Sequence, residues 1–212
     1  MSCCGSECYQ EQFGEKHASN DVRRYRAKGP DRTTRLLVDA LKKEGVEGAS
    51  LLDIGAGIGV VHHELLAAGA TSAVHVDATT ANIKAAQAEA ARLGHTPLVR
   101  FLRGDFVALA AEIPPADVVT LDRVICCYPN MEELVAASAS RARRLYGAVF
   151  PRERWLTRGF VAVSNVARGL RRNSFRSYVH SVEAIDAALQ RQGLRKCWVT
   201  ETIAWRVAVY SR

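Results

Sequence analysis

The sequence has no apolar run approaching the roughly 20 residues that span a bilayer, which argues against a membrane-spanning helix. Its opening stretch, MSCCGSECYQEQFGEKH, has no hydrophobic signal core, so a cytoplasmic location is the expectation. Six cysteines in 212 residues are too few for a disulfide scaffold. Internal repeats and low-complexity tracts are also missing. What remains is a chain of the length of one domain, 1–212, with a hydrophobic content of 48%, ordinary for a globular core. The net charge of +7 admits anionic partners without choosing one.

Apolar spacing predicts alternating elements. Helices are expected over 31–46, 60–69, 81–94, 131–145 and 181–193. Short apolar runs read as strands over 50–55, 72–78, 98–105, 116–126 and 146–151, and 195–211 suits two closing strands joined by a turn. Residues 1–30 show no clean period, and a basic segment over 152–177 interrupts the alternation. The expected fold is α/β: a Rossmann-like, doubly wound, seven-stranded, mostly parallel sheet with a C-terminal antiparallel strand. Ligands of such sheets bind at the carboxyl ends of the strands.

At the end of the first strand stands LLDIGAGIG, with Gly55, Gly57 and Gly59 at alternate positions. Glycine lets a strand turn sharply into a helix and lets a ligand approach without a Cβ in the way. The spacing is G-x-G-x-G, with Val60 where a dinucleotide fingerprint has its last glycine, and it lacks the Gly-Lys-Ser/Thr ending of a P-loop. In this motif the chain resembles the class I S-adenosylmethionine-dependent methyltransferases, over about 35–150. The resemblance implies that Gly55, Ala56, Gly57 and Gly59 pack against the methionine and ribose of S-adenosylmethionine and that Asp53 helps hold the methionine end. It implies that Asp77, with Ala78 beside it, takes the ribose hydroxyls, and that Asp105 and Phe106 hold the adenine. Each acid also has a simpler reading as a helix cap or a solvated strand end.

Methyl transfer from a sulfonium is a direct displacement, so alignment matters most, and a base is needed only for a protonated nucleophile. The resemblance places the acceptor near the end of the fourth strand, LDRVICCYPN, where Asp122, Arg123, Cys126, Cys127, Tyr128 and Asn130 are candidates. Asp122 and Arg123 are assigned to the cofactor side, and Tyr128 is either a contact or a ring buried under the sheet end. The stretch lacks the N/D-P-P-Y/F signature of amino-nitrogen methylation. His180 and His17 are candidate bases, because an unperturbed imidazole titrates near neutrality. Residues 1–34 are expected to form a lid, bringing Cys3, Cys4 or Cys8 towards Cys126 and Cys127, where thiolates suit a soft metal or metalloid. No resident metal is expected.

The segment 151–180 is expected to cover the substrate. Read as a helix, it gathers Trp155, Gly159, Val163, Val166 and Leu170 on one face, flanked by Arg154, Arg158, Arg168, Arg171 and Arg172. Arginines hold carboxylates or phosphates by paired hydrogen bonds. The amphipathic pattern over 152–176 also suits an anionic membrane surface, or a solvated helix packed on the domain. The local charge and the lack of a recognised binding module disfavour nucleic acid. In length, basic cover and TLDRVICCYPN the chain is also similar to small-molecule enzymes that esterify a carboxylate on a magnesium porphyrin. The leading expectation is methylation of a small anionic or thiol-bearing molecule. A protein or RNA methyltransferase, an arsenic-type enzyme using the cysteines, and a non-catalytic cofactor-binding protein are the alternatives. The sequence specifies no oligomeric state.

Overall fold

The computed structural model describes residues 6–212. Five parallel strands, β1 (Ser50–Ile54), β2 (Ser72–Asp77), β3 (Val99–Arg103), β4 (Ala116–Asp122) and β5 (Ala142–Pro151), join a C-terminal hairpin of β6 (Arg195–Glu201) and β7 (Trp205–Ser211). The sheet order is β3-β2-β1-β4-β5-β7-β6, with β7 antiparallel to both of its neighbours. The doubly wound, mostly parallel sheet read from the sequence is therefore present.

Each face carries its own core. Leu37, Leu41, Val61 and Leu65, from α3 (Arg32–Lys43) and α4 (Val60–Leu66), pack on one side. Phe106, Leu134, Ile185 and Leu189, from α6 (Phe106–Leu109), α7 (Met131–Ala139) and α9 (Val182–Arg191), pack on the other. At about 25 cal/mol per Å² of buried apolar surface, these two layers supply the main driving force for folding.

Three boundaries differ from the sequence reading. The segment expected to be helical over 131–145 ends at Ala139, and Ala142–Pro151 forms one ten-residue strand. Arg143 and Arg144 lie exposed within it, and exposed positions inside a strand blur its apolar signal. The fourth strand stops at Asp122, and Ile125–Cys127 is a single 3₁₀ turn. The stretch without a period holds α1 (Ser6–Gln12) and α2 (Glu15–Lys28). In α2 only Ala18 is buried, so no apolar stripe marks it. Polar ties hold it instead. Tyr25 donates to Glu64 at 3.0 Å, and Arg26 reaches Glu89, a buried carboxylate that Arg92 also pairs.

Strand register sets Thr120, Asp53, His75 and Phe101 in one lateral row across β4, β1, β2 and β3. Beside this row, His62 of α4 lies 2.9 Å from an Asp53 oxygen. A carboxylate only accepts, so His62 Nδ1 carries the hydrogen. His63 meets His95, which follows α5 (Thr80–Leu93), at 3.2 Å. Burial pushes the pKa values of His62, His63 and His75 down to about 3, so all three are neutral near pH 7. His75 has no hydrogen-bond partner for either ring nitrogen among the described residues. Its folded-state value lies below its unfolded value, so its stability contribution is full above about pH 6.5 and is lost as pH falls below that. His75→Phe removes this proton demand. Its stability relative to the parent should rise by about 2 kcal/mol between pH 8 and pH 5, measured by denaturant titration. A difference that does not change with pH would refute the buried neutral imidazole.

Candidate active site

The carboxyl ends of β1, β2, β3 and β4 converge on a cavity of about 470 Å³. It lies where the strand order reverses, between β1 and β4, which is where open α/β sheets bind ligands. Its floor is the glycine turn, where Gly55, Gly57 and Gly59 have φ of 59°, 58° and 88°; Gly55 and Gly57 line the cavity, while the predicted cofactor residue Gly59 does not and instead backs onto His62. A Cβ on Gly55 would stand 2.5 Å from a Val124 methyl, so the loop after β4 closes directly on the turn. A Cβ on Gly57 would meet nothing within 4 Å. The turn therefore presents bare backbone to an open cradle. Ala56 and Ala78 line the same space.

Asp77 ends β2 with its carboxylate buried at the cavity edge. One oxygen accepts from the backbone N–H of Gly57 at 2.9 Å, and the other from the backbone and hydroxyl of Thr79 at 2.8 and 2.9 Å. Burial pushes its pKa up, although each of these bonds favours the charged form. Asp105 follows β3 and caps α6 through Val107 N–H at 3.0 Å, so the simple capping reading holds for one of its oxygens. Its other oxygen accepts from the Tyr128 hydroxyl at 3.2 Å, and Phe106 lies buried beside it. Asp53 reaches the inner end of the cavity, but both oxygens are engaged, one by Thr120 at 2.7 Å and one by His62. Burial raises its pKa to about 6.

At the end of β4, Asp122 and Arg123 tie this floor to α3. Asp122 accepts from Thr34, and Arg123, held at φ 62°, pairs with Asp31 and with Asp122 at 3.1 Å. Asp31 is also the N-cap of α3, bonding Thr33 and Thr34 N–H at 3.1 Å. Asp31 and Thr34 were missed as site residues, and the D-x-T capping pattern is the signal that marks this turn.

Tyr9 of α1, Phe13 between the helices, and His17 and Tyr25 of α2 form a roof. Tyr9 donates to Cys127 O at 2.9 Å, which fastens α1 to the loop after β4. His17 faces the cavity with Nε2 3.2 Å from Asp21, whose hydrogen bond raises its pKa. His180 is absent from the cavity lining. Its Nε2 lies 2.9 Å from Tyr128 O, its ring stacks on Tyr178, and burial lowers its pKa. Cys126 and Cys127 line the cavity with sulfurs 3.8 Å apart, both directed at Arg123 O. The Cys127 thiol is pushed well up, first by its contact with Cys126 and then by burial, and so stays protonated near neutrality. Cys8 is buried, while Cys3 and Cys4 lie outside the described residues. Among the described residues, no group of three or more His, Cys, Asp or Glu side chains could hold a metal ion.

The remaining wall comes from α8 (Trp155–Leu170) and the segment that follows it. Arg168, Phe175 and Ser177 face inward, with Trp205 of β7 beside them. Arg168 donates to Asn165 Oδ1 at 3.0 Å and to Ser177 Oγ at 3.2 Å, and its guanidinium lies 5.2 Å from the centre of the Phe175 ring.

A family model described as a methyltransferase domain matches residues 51–146, from the first strand through Tyr146. No curated protein sequence matches the chain. Among solved structures, magnesium protoporphyrin IX methyltransferase from Synechocystis PCC 6803 with bound S-adenosylhomocysteine aligns at TM-score 0.68 and 22% identity. The alignment covers 85% of this chain and 82% of that one. An O-methyltransferase family protein from Burkholderia thailandensis aligns at TM-score 0.69 and 17% identity over 94% of this chain and 63% of that one. At these identities the likenesses speak for the fold. Residues 51–146 thus match a methyltransferase domain, with the glycine turn at its switch point, on a fold shared with the Synechocystis enzyme. A second structure of the Synechocystis enzyme, at 19% identity, holds S-adenosylmethionine, a methyl donor.

The residues fit that donor: an open cradle over Gly57, a buried strand-end acid beside it, and an acid–aromatic pair one strand further on. Gly57→Arg fills the cradle and strains a positive φ. It should weaken S-adenosylmethionine binding about 100-fold or more by calorimetric titration. Unchanged affinity with a native circular dichroism spectrum would remove this pocket as the donor site.

Proposed function

We propose that this enzyme methylates a small anionic acceptor, a carboxylate carried on an apolar, planar body. The observation behind this reading is Arg168. Three arginines line the cavity. Arg24 pairs with Asp21, and Arg123 with Asp31 and Asp122, whereas Arg168 has no carboxylate partner among the described residues. A cavity-facing guanidinium held by neutral groups and stacked near Phe175 is set up to receive an anion by a paired hydrogen bond. Phe13, Phe175 and Trp205 supply apolar surface around it. The structurally similar Synechocystis enzyme is named for a porphyrin, a ligand of that general shape.

Bound S-adenosylmethionine supplies an electrophilic methyl group on a sulfonium. An acceptor oxygen would take that methyl group while the C–S electron pair stays with sulfur. An ionised carboxylate reacts without losing a proton, so this chain's residues need only position it and exclude water. Gly57 leaves room for the donor; Asp77 would take its ribose hydroxyls and Asp105 with Phe106 would hold its adenine, with Tyr128 fixing Asp105. Asp53 acts from behind, through the start of α4. Asp122 and Arg123 hold the start of α3 against the floor of the site. His17 has no proton to take from a carboxylate acceptor.

The paired thiols favour a second reading, a thiol-bearing or trivalent metalloid acceptor held by Cys126 and Cys127. The protonated state of Cys127 weighs against it.

Incubation with methyl-labelled S-adenosylmethionine and a panel of small carboxylic acids, a porphyrin included, tests the leading reading. Label should enter a small molecule and be released as methanol by mild base, as a methyl ester requires. Arg168→Met should raise the acceptor KM about tenfold or more with little change in kcat. Base-stable product, or label only in protein or RNA, would overturn the carboxylate acceptor. Full activity in both Cys126→Ser and Cys127→Ser would remove the thiol reading.

A further inference from the structure

The most unusual surface of the molecule is the outside of α8. Surface helices bury their apolar stripe against the core, and this one does the reverse. At 3.6 residues per turn, Trp155, Leu156, Phe160, Val163, Val166 and Leu170 fall within about 140° of arc. All of them face solvent, with Trp155 79%, Phe160 74% and Leu170 83% exposed. The half-buried positions are Thr157, Val161, Ser164, Asn165 and Arg168, four of them polar. The helix is thus held by its polar side. Asn165 donates to Ser177 O at 2.8 Å and accepts from Ser177 N–H at 3.0 Å, next to the Arg168 contacts. Ile203, 89% exposed, extends the apolar surface from the β6–β7 turn, which Arg152 ties to the start of α8 through Thr202 O and Ala204 O.

Charge says what such a face meets. No acidic residue occurs between Glu153 and Glu183, while that interval holds six arginines. Arg154, Arg158, Arg171 and Arg172 are exposed along and just beyond the helix. Arg158 pairs with Glu153, while Arg154, Arg171 and Arg172 make no ion pair among the described residues. An apolar stripe carrying Trp and Phe, bordered by unneutralised arginines at both ends, has the chemistry of a helix lying in the interface of an anionic bilayer.

We propose that the outward face of α8 docks on an anionic lipid surface. The rings and aliphatic side chains enter the headgroup boundary, and the arginines pair with lipid phosphates and carboxylates. The inner face of the same helix carries Arg168 into the cavity, so docking sets the acceptor-binding wall against the membrane. Docking stands independently of which acceptor is methylated.

Co-sedimentation of the full chain with vesicles reads this without any methyl transfer. With roughly one-third phosphatidylserine in phosphatidylcholine the protein should pellet. With phosphatidylcholine alone it should stay largely in solution, and rising salt should release it. The double variant Trp155→Ser, Phe160→Ser should lose about tenfold or more in vesicle affinity. Arg171→Glu with Arg172→Glu should do the same, and in both variants S-adenosylmethionine affinity should be unchanged. Absence of binding to anionic vesicles at low salt would overturn the proposal. Equal binding by parent and variants would overturn it as well. A dimer that the Trp155→Ser, Phe160→Ser variant dissolves, without vesicle binding, would assign the face to a second copy instead.

Discussion

One buried carboxylate sets the geometry on which the site depends. Asp53 bonds Thr120 of the neighbouring strand and His62 of the helix that follows the glycine turn. It thereby fixes where β1 ends, how β4 lies beside it, and where α4 starts. An isolated charge in such a place would cost several kcal/mol, and each hydrogen bond from Thr120 and His62 offsets part of that. The neutral state of His62 is part of the arrangement, because it lets the ring donate from Nδ1 without adding a second buried charge. The three glycine φ values follow from a chain that must leave this anchored strand and enter this anchored helix within five residues.

A second cluster joins the end of β4 to the start of α3. Arg123 and Asp122 at the end of β4 meet Asp31 and Thr34 at the start of α3, 88 to 92 positions away in sequence. Here a helix cap also serves as a tertiary clamp. The parallel half of the sheet carries the cradle over Gly57, and the antiparallel hairpin with α8 carries the wall bearing Arg168. The two halves meet at the loop after β4, where the thiols and Tyr128 sit.

The parts of this arrangement that are contiguous in sequence were legible there. Apolar runs alternating with helical periods indicated the sheet, and the glycines with Asp77 and Asp105 fell at strand ends. What joins distant segments was not legible. Nothing in local spacing pairs Asp31 with Arg123, or seats Glu89 between Arg26 and Arg92. The α2 helix left no trace because it buries only Ala18 and is otherwise tied down by polar contacts. His62 and His63 were visible beside the turn, but their burial depends on His75 and His95, which lie on other elements. In α8 the periodicity located the apolar face correctly but carried no information about which way that face looks. Direction is set by the ties from Asn165 to Ser177, which form only after the following segment has folded back.

Those ties also set how the cover comes undone. Elements that bury large apolar areas open only with the whole domain, whereas elements held by a few hydrogen bonds open alone. Detaching α8 breaks the Asn165 and Arg168 contacts and uncovers almost no core, so the cover forms a separate cooperative unit of low opening free energy. Its backbone amides should therefore exchange with solvent ahead of those in α3 or α7. The wall bearing Arg168 can swing away while the cradle over Gly57 keeps its shape, so one side of the cavity can open without disturbing the other.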